Sequence, residues 1–125
     1  MLPLIVALSQ APAGEAGFGP PQRMRCEWFS NFENSRFERC SSDSRPVVAE
    51  AAIPVFAAGV AASFDRAARK LGGRSVDGVP WGVFDVEIVG RRGLTRREHS
   101  RYIGDARWDV KVERLIAMRL IRRGD

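Results

Sequence analysis

Apolar side chains recur at intervals of three or four most clearly over residues 55–71, where Phe56, Val60, Phe64, Ala67, Ala68 and Leu71 make a stripe that Gly72-Gly73 ends. Elsewhere the readable patterns alternate with a period of two, or interleave aromatic and polar side chains. That balance predicts a mainly β fold with a single helix. At 125 residues the chain has the size of one domain. Its 45% hydrophobic and 28% charged residues fit a globular unit and exclude collagen-like, coiled-coil and wholly disordered classes. No apolar run approaches the roughly 20 residues that cross a bilayer as a helix.

The β assignments follow from local pattern. Residues 24–37 carry Trp28, Phe29, Phe32 and Phe37 among polar neighbours, which reads as a long bent strand or a hairpin. Residues 40–46 form a Ser/Asp-rich turn, and residues 47–53 a short strand before Pro54. Residues 81–89 alternate Val, Ile and aromatics with Asp85 and Glu87, a strand, followed by a basic turn at 90–93 and a polar loop at 94–105. Residues 107–122 open with Trp108, Val110 and Val112 opposite Asp109, Lys111 and Glu113, which favours a strand; at residues 115–118 the pattern also fits a helix. About five strands with a helix between the third and the fourth is the order of a small OB-like β-barrel.

Compartment is suggested by the amino terminus and the cysteines. The first thirteen residues hold no charge, run apolar from Leu2 to Leu8 and reach Ala11-Pro12-Ala13, the small-x-small pattern of an export signal. Residues 1–13 are therefore expected to be a signal peptide, 14–22 a flexible Gly/Pro-rich lead-in, and 23–125 one OB-like domain. Cys26 and Cys40 are the only two cysteines; an even pair in a short exported chain reads as one disulfide, against the alternative of two unrelated buried thiols. Two cysteines and the distant His99 do not make a structural zinc site, so no metal and no cofactor are expected. The expected location is periplasmic or secreted.

The segment Phe32-Glu33-Asn34-Ser35-Arg36-Phe37-Glu38-Arg39-Cys40 resembles the F-E-x-S-x-F-x-x-C element of a group of small exported bacterial β-barrel proteins. Tyr102-Ile103-Gly104 and the strand that opens at Trp108 resemble the Gly-containing turn and strand near the end of that group. The resemblance covers roughly half the chain and implies an OB-like fold and export. It brings no activity with it.

Charge is uneven. The basic residues are Arg except for Lys70 and Lys111, and from Arg91 onward eleven bases face five acids. Guanidinium groups suit phosphate and carboxylate, so this third points to an anionic partner, though Arg also serves as a plain solvated surface. Chemistry is harder to find. His99 lies between Glu98 and Ser100, and sequence neighbours do not form a triad. Asp85 and Glu87 share a strand face but suit a solvated face as well. Gly72-Gly73-Arg74-Ser75 follows a helix rather than opening one and lacks the phosphate-binding Lys. The expectation is a non-enzymatic exported binding or envelope-associated domain, with an anionic envelope component or another envelope protein as partner. The alternative is a cytosolic nucleic-acid-binding module using the Arg-rich final third. Candidate ligand-binding residues are Trp28, Trp81, Tyr102 and Trp108, with Arg91, Arg92, Arg96 and Arg97; Phe29 is a further aromatic.

Overall fold

A computed structural model describes residues 17–31, 34–72, 74–76, 79–99 and 106–124. The elements run β1 (Gln22–Ser30), β2 (Ser35–Ser42), β3 (Arg45–Val48), β4 (Ala52–Phe56), α1 (Val60–Lys70), β5 (Arg74–Val76), β6 (Val79–Arg92) and β7 (Trp108–Arg123). The fold is mainly β with one helix. The sheet path β1-β2-β4-β7-β6 closes because β1 also pairs with β6, giving a ring of five strands, with β3 attached to β2 and β5 to β6. All of these pairings are antiparallel except that of β4 with β7.

Two expectations are corrected. The helix begins at Val60 rather than at residue 55, because Val55 and Phe56 extend β4 and pair alongside Lys111 and Val112. Gly59, at φ +81°, breaks the chain direction just before the first turn, and Gly72, at φ +79°, ends the helix. The helix also follows the fourth strand, not the third. The stretch expected as one strand over 47–53 is split by residues 49–51, which leave β3 as a hairpin partner of β2 outside the ring. Asp43 and Ser44 both have positive φ, as a two-residue hairpin turn requires.

The core fills the ring. Met24, Cys26, Trp28, Phe37, Cys40, Phe84, Val86, Ile88, Val110 and Val112 point inward, and Val60, Phe64 and Ala68 of α1 pack against them. Phe64 meets the Trp28 ring edge-on at 4.9 Å and Phe56 at the same distance. Trp28 is 3% exposed, and its indole N–H donates to Ser35 Oγ at 2.9 Å, which satisfies a polar group otherwise buried at a cost.

Cys26 and Cys40 stand opposite each other on β1 and β2 and form a disulfide, Cα to Cα 4.1 Å. Cross-linking residues 14 apart removes loop freedom from the unfolded chain, a stabilisation of about 3 kcal/mol. One irregularity makes the inward set of β2 possible. Glu27 pairs with Arg39 but Trp28 with Phe37, so Glu38 is an extra residue that turns both Phe37 and Cys40 inward although they are three apart.

β7 does the same three times. Against β6 it leaves Glu113, Ile116 and Ile121 without counterparts. The residues opposite the inward side chains of β6 are therefore Val112, Leu115, Met118 and Leu120, spaced three, three and two apart. The segment expected as a strand, with helix also possible at 115–118, is a bulged strand to its end. Outside the ring, charges form ladders: Arg39 with Glu27, Arg25 and Arg119 with Asp85, and Arg23 with Glu87. Asp85 and Glu87 are thus occupied by arginines on the outer face.

Candidate functional site

One end of the ring gathers three chain segments. β6 finishes at Arg92, β7 begins at Trp108, and the 49–51 connection between β3 and β4 passes beside them. Gly93 donates its N–H to Asp109 O at 2.8 Å, and a Cβ at Gly93 would lie 2.8 Å from that same oxygen, so only glycine lets the two backbones approach this closely. Residues 17–19, expected within a flexible lead-in, are tied here: Gly19 N–H donates to Arg92 O at 2.8 Å, and Phe18 bridges to Gly93.

Glu50 is the centre of this end. Arg96 donates to both of its oxygens, Nε to Oε2 and Nη2 to Oε1 at 3.1 Å each, and the Trp108 indole N–H donates to Oε2 at 3.0 Å. The hydrogen bond from Arg96 first, and that from Trp108 second, hold the Glu50 carboxyl below the usual carboxylate range, while the same contact raises the Arg96 guanidinium. One carboxylate thus fastens the loop after β6 and the start of β7 to the β3–β4 connection, across 46 and 58 residues of sequence.

The neighbouring arginines are also matched. Arg91, with a side chain 10% exposed, approaches Glu113 at 3.4 Å and donates to Gly19 O at 3.4 Å. Arg97 pairs with Asp109. Arg92 differs: it is exposed, and no ion pair holds it among the described residues. It borders a cleft of about 320 Å³ whose walls are Val47, Val48, Leu94 and Trp108, with Glu50 at the rim. Leu94 is 55% exposed, the most of any large apolar side chain described. Past Arg92 and Leu94 the cleft continues into a groove lined by Pro20, Gln22, Asp43, Arg45 and Pro46.

Of the candidate residues read from sequence, the structure brings Trp108, Arg91, Arg92, Arg96 and Arg97 together at this end. Trp28 does not join them, because it is core. Trp81, at the start of β6, lies at the far end of the strand, roughly 35 Å away at about 3.3 Å per residue. Tyr102 lies outside the described residues, as does the stretch expected as a signal peptide. Phe29 faces outward beneath Arg36, whose guanidinium carbon is 5.1 Å from the ring centre.

Sequence reading missed Glu50, Leu94, Val47 and Arg45. Glu50 carried one weak signal, a single charge between Ala49 and Ala51 in an otherwise apolar stretch. Among the described residues His99 is exposed, and no three His, Cys, Asp or Glu side chains converge as a metal set. No protein-family model, curated protein or solved structure matches this chain.

Proposed function

We propose that the chain is an exported, non-enzymatic binding domain, a small OB-like barrel locked by the Cys26–Cys40 disulfide, that takes an anionic ligand with an apolar portion in the Arg92 cleft. The barrel reading is supported by the closed path β1-β2-β4-β7-β6, whose one parallel pair is β4 with β7. The export reading is supported by the apolar amino-terminal run and by a disulfide, which suits an oxidising compartment. Binding rather than catalysis is supported by the lining: a guanidinium, an indole, aliphatic side chains and the Glu50 carboxylate, already engaged by Arg96 and Trp108, without Ser, Cys or His among the described wall residues.

The observation that carries the ligand class is Arg92. In a cluster where Arg91, Arg96 and Arg97 each face a carboxylate, Arg92 alone presents its charge to an apolar cleft. An anion there gains a bidentate partner, while Leu94, Val47 and Trp108 shed water from an attached chain. The nucleic-acid alternative has less support at this end, since three of its four arginines are already neutralised. Titration of the oxidised protein with dodecyl phosphate, below its micelle concentration, tests the reading by amide and indole nuclear magnetic resonance. Shifts at Gly93, Leu94 and the Trp108 indole, lost in Arg92→Glu, are expected; a titration that leaves these three resonances unmoved would refute it. Export has its own test. Expression with the native amino terminus in a Gram-negative host is expected to yield a mature chain beginning near Gly14 without reactive thiols.

A further inference from the structure

We infer that the opposite end of the ring is a docking surface for an anionic lipid bilayer. This goes beyond the cleft and does not depend on it. From Ala117 to Gly124, the half of β7 that runs to this end, the chain carries three arginines and no acid. Among the described residues, only Arg119 of these has an acidic partner, Asp85, which Arg25 shares. At this end Arg122 and Arg123, opposite Val83 and Gly82, are exposed and have no ion pair among the described residues.

Apolar side chains stand among these charges. Ile121, one of the bulged residues of β7, is 44% exposed, and Leu71, just past α1, is 38% exposed. The two elements meet here: the Arg123 guanidinium lies 3.5 Å from where a Cβ of Gly72 would be. Lys70 and Leu71 at the helix end therefore adjoin Ile121, Arg122 and Arg123 at the strand end. Trp81 is at the same end, where Gly124 donates its N–H to Trp81 O at 3.1 Å. The acid nearest along the helix, Asp65, has Arg69 beside it; Asp125 lies outside the described residues.

The mixture of groups selects the occupant. Guanidinium groups bind phosphate oxygens as a fork, and bases near a negatively charged leaflet gain affinity by about fivefold each. Branched aliphatic side chains such as Ile121 and Leu71 gain by entering the boundary between headgroups and acyl chains. Stacked bases offer Ile121 and Leu71 no such gain, which favours a bilayer over nucleic acid.

The test is co-sedimentation of the full oxidised chain with phosphatidylcholine vesicles with and without phosphatidylglycerol, at low and high salt. Binding that needs phosphatidylglycerol and weakens with salt is expected. The variant Arg122→Glu with Arg123→Glu is expected to lose at least about 25-fold in affinity, the product of two fivefold steps. A second variant, Ile121→Ser with Leu71→Ser, keeps every charge and is expected to bind several-fold more weakly. Arg92→Glu, at the cleft, is expected to bind vesicles as the parent does, so failure of the cleft reading leaves this result intact. Equal binding to both vesicle types overturns the proposal, as does full binding by the Arg122, Arg123 variant with a native melting profile. Tighter, Arg122-dependent binding to a duplex oligonucleotide at the same salt overturns it in favour of nucleic acid.

Discussion

The two ends of the ring are both rich in arginine and differ in what the arginines face. At the Trp108 end, Arg91, Arg96 and Arg97 are matched by Glu113, Glu50 and Asp109, and Arg92 is the exception. At the Arg123 end, Arg122 and Arg123 have no ion pair among the described residues, and exposed Ile121 and Leu71 stand beside them. A count of bases against acids over the last third of the chain merges these ends into one basic region. Pairing separates them: matched guanidinium groups fasten loops to the ring, and unmatched ones remain for a partner.

What both ends share is the closed ring, and the largest expected effect comes from weakening it. Replacing Cys26 and Cys40 together by Ala removes a cross-link within the core and is expected to lower stability by about 3 kcal/mol. Because β1, β2, β6 and β7 all belong to one ring, urea unfolding is expected to stay a single transition with a lower midpoint. A biphasic transition, in which one end melts before the other, would show that the ends are separate units and break the comparison.

Glycines then allow each end to be disturbed alone. A Cβ at Gly93 would sit 2.8 Å from Asp109 O, and one at Gly82 would sit 2.9 Å from Arg122 O. Gly93→Ala and Gly82→Ala must each push backbone apart, at a cost of about 1 to 3 kcal/mol. Chemical shifts are expected to change around Trp108 in the first variant and around Arg122 and Trp81 in the second. Cross-over of those effects would mean that strain travels the length of β6.

Particular residues show how much of this was legible in sequence. The mainly β character, the helix around Phe64 and the Cys26–Cys40 pair were readable, because periodicity and cysteine parity are local signals. The course of β7 was not. Bulges at Glu113 and Ile116 place Val112, Leu115 and Met118 on one side at intervals of three, which imitates a helix until the partner strand is known. The tryptophans could not be sorted either: Trp28 and Trp108 both stand among alternating polar neighbours, and only closure of the ring buries one and leaves the other at a cleft. Arginine pairing was the least legible feature, since Glu50 reaches Arg96 across 46 residues.

A smaller effect sharpens the contrast by making the matched end resemble the unmatched one. Glu50→Gln leaves a hydrogen-bond acceptor for Trp108 but removes the negative charge that occupies Arg96. Arg96 then joins Arg92 as an available cation, and dodecyl phosphate is expected to bind about fivefold tighter, the effect of one unscreened charge near an anion. Isothermal titration at low salt measures this. Unchanged affinity would mean that Arg96 does not reach the cleft once released.

The smallest expected effect is on pH, and its sign follows from the direction of two shifts. Arg96 and Trp108 hold the Glu50 carboxyl below its ordinary range, so the support it gives is complete above that range, near pH 4.3, and is lost as pH falls through the lowered value. Asp65 runs the other way. Burial raises its carboxyl, so the fold favours its protonated form, and its unfavourable effect develops as pH rises through the ordinary Asp range and is complete above the raised value. Acidification therefore loosens the Glu50 clasp while it relieves Asp65 on the helix, and the two contributions to global stability oppose each other. A local probe separates them: the Trp108 indole N–H resonance is expected to titrate below the ordinary Glu range, and to stop titrating in Glu50→Gln. Arg122 and Arg123 have no acidic partner among the described residues, so vesicle binding is expected to persist through the pH interval in which the clasp opens. A Trp108 titration at or above the ordinary Glu range would mean that Glu50 is not held by its two donors in solution.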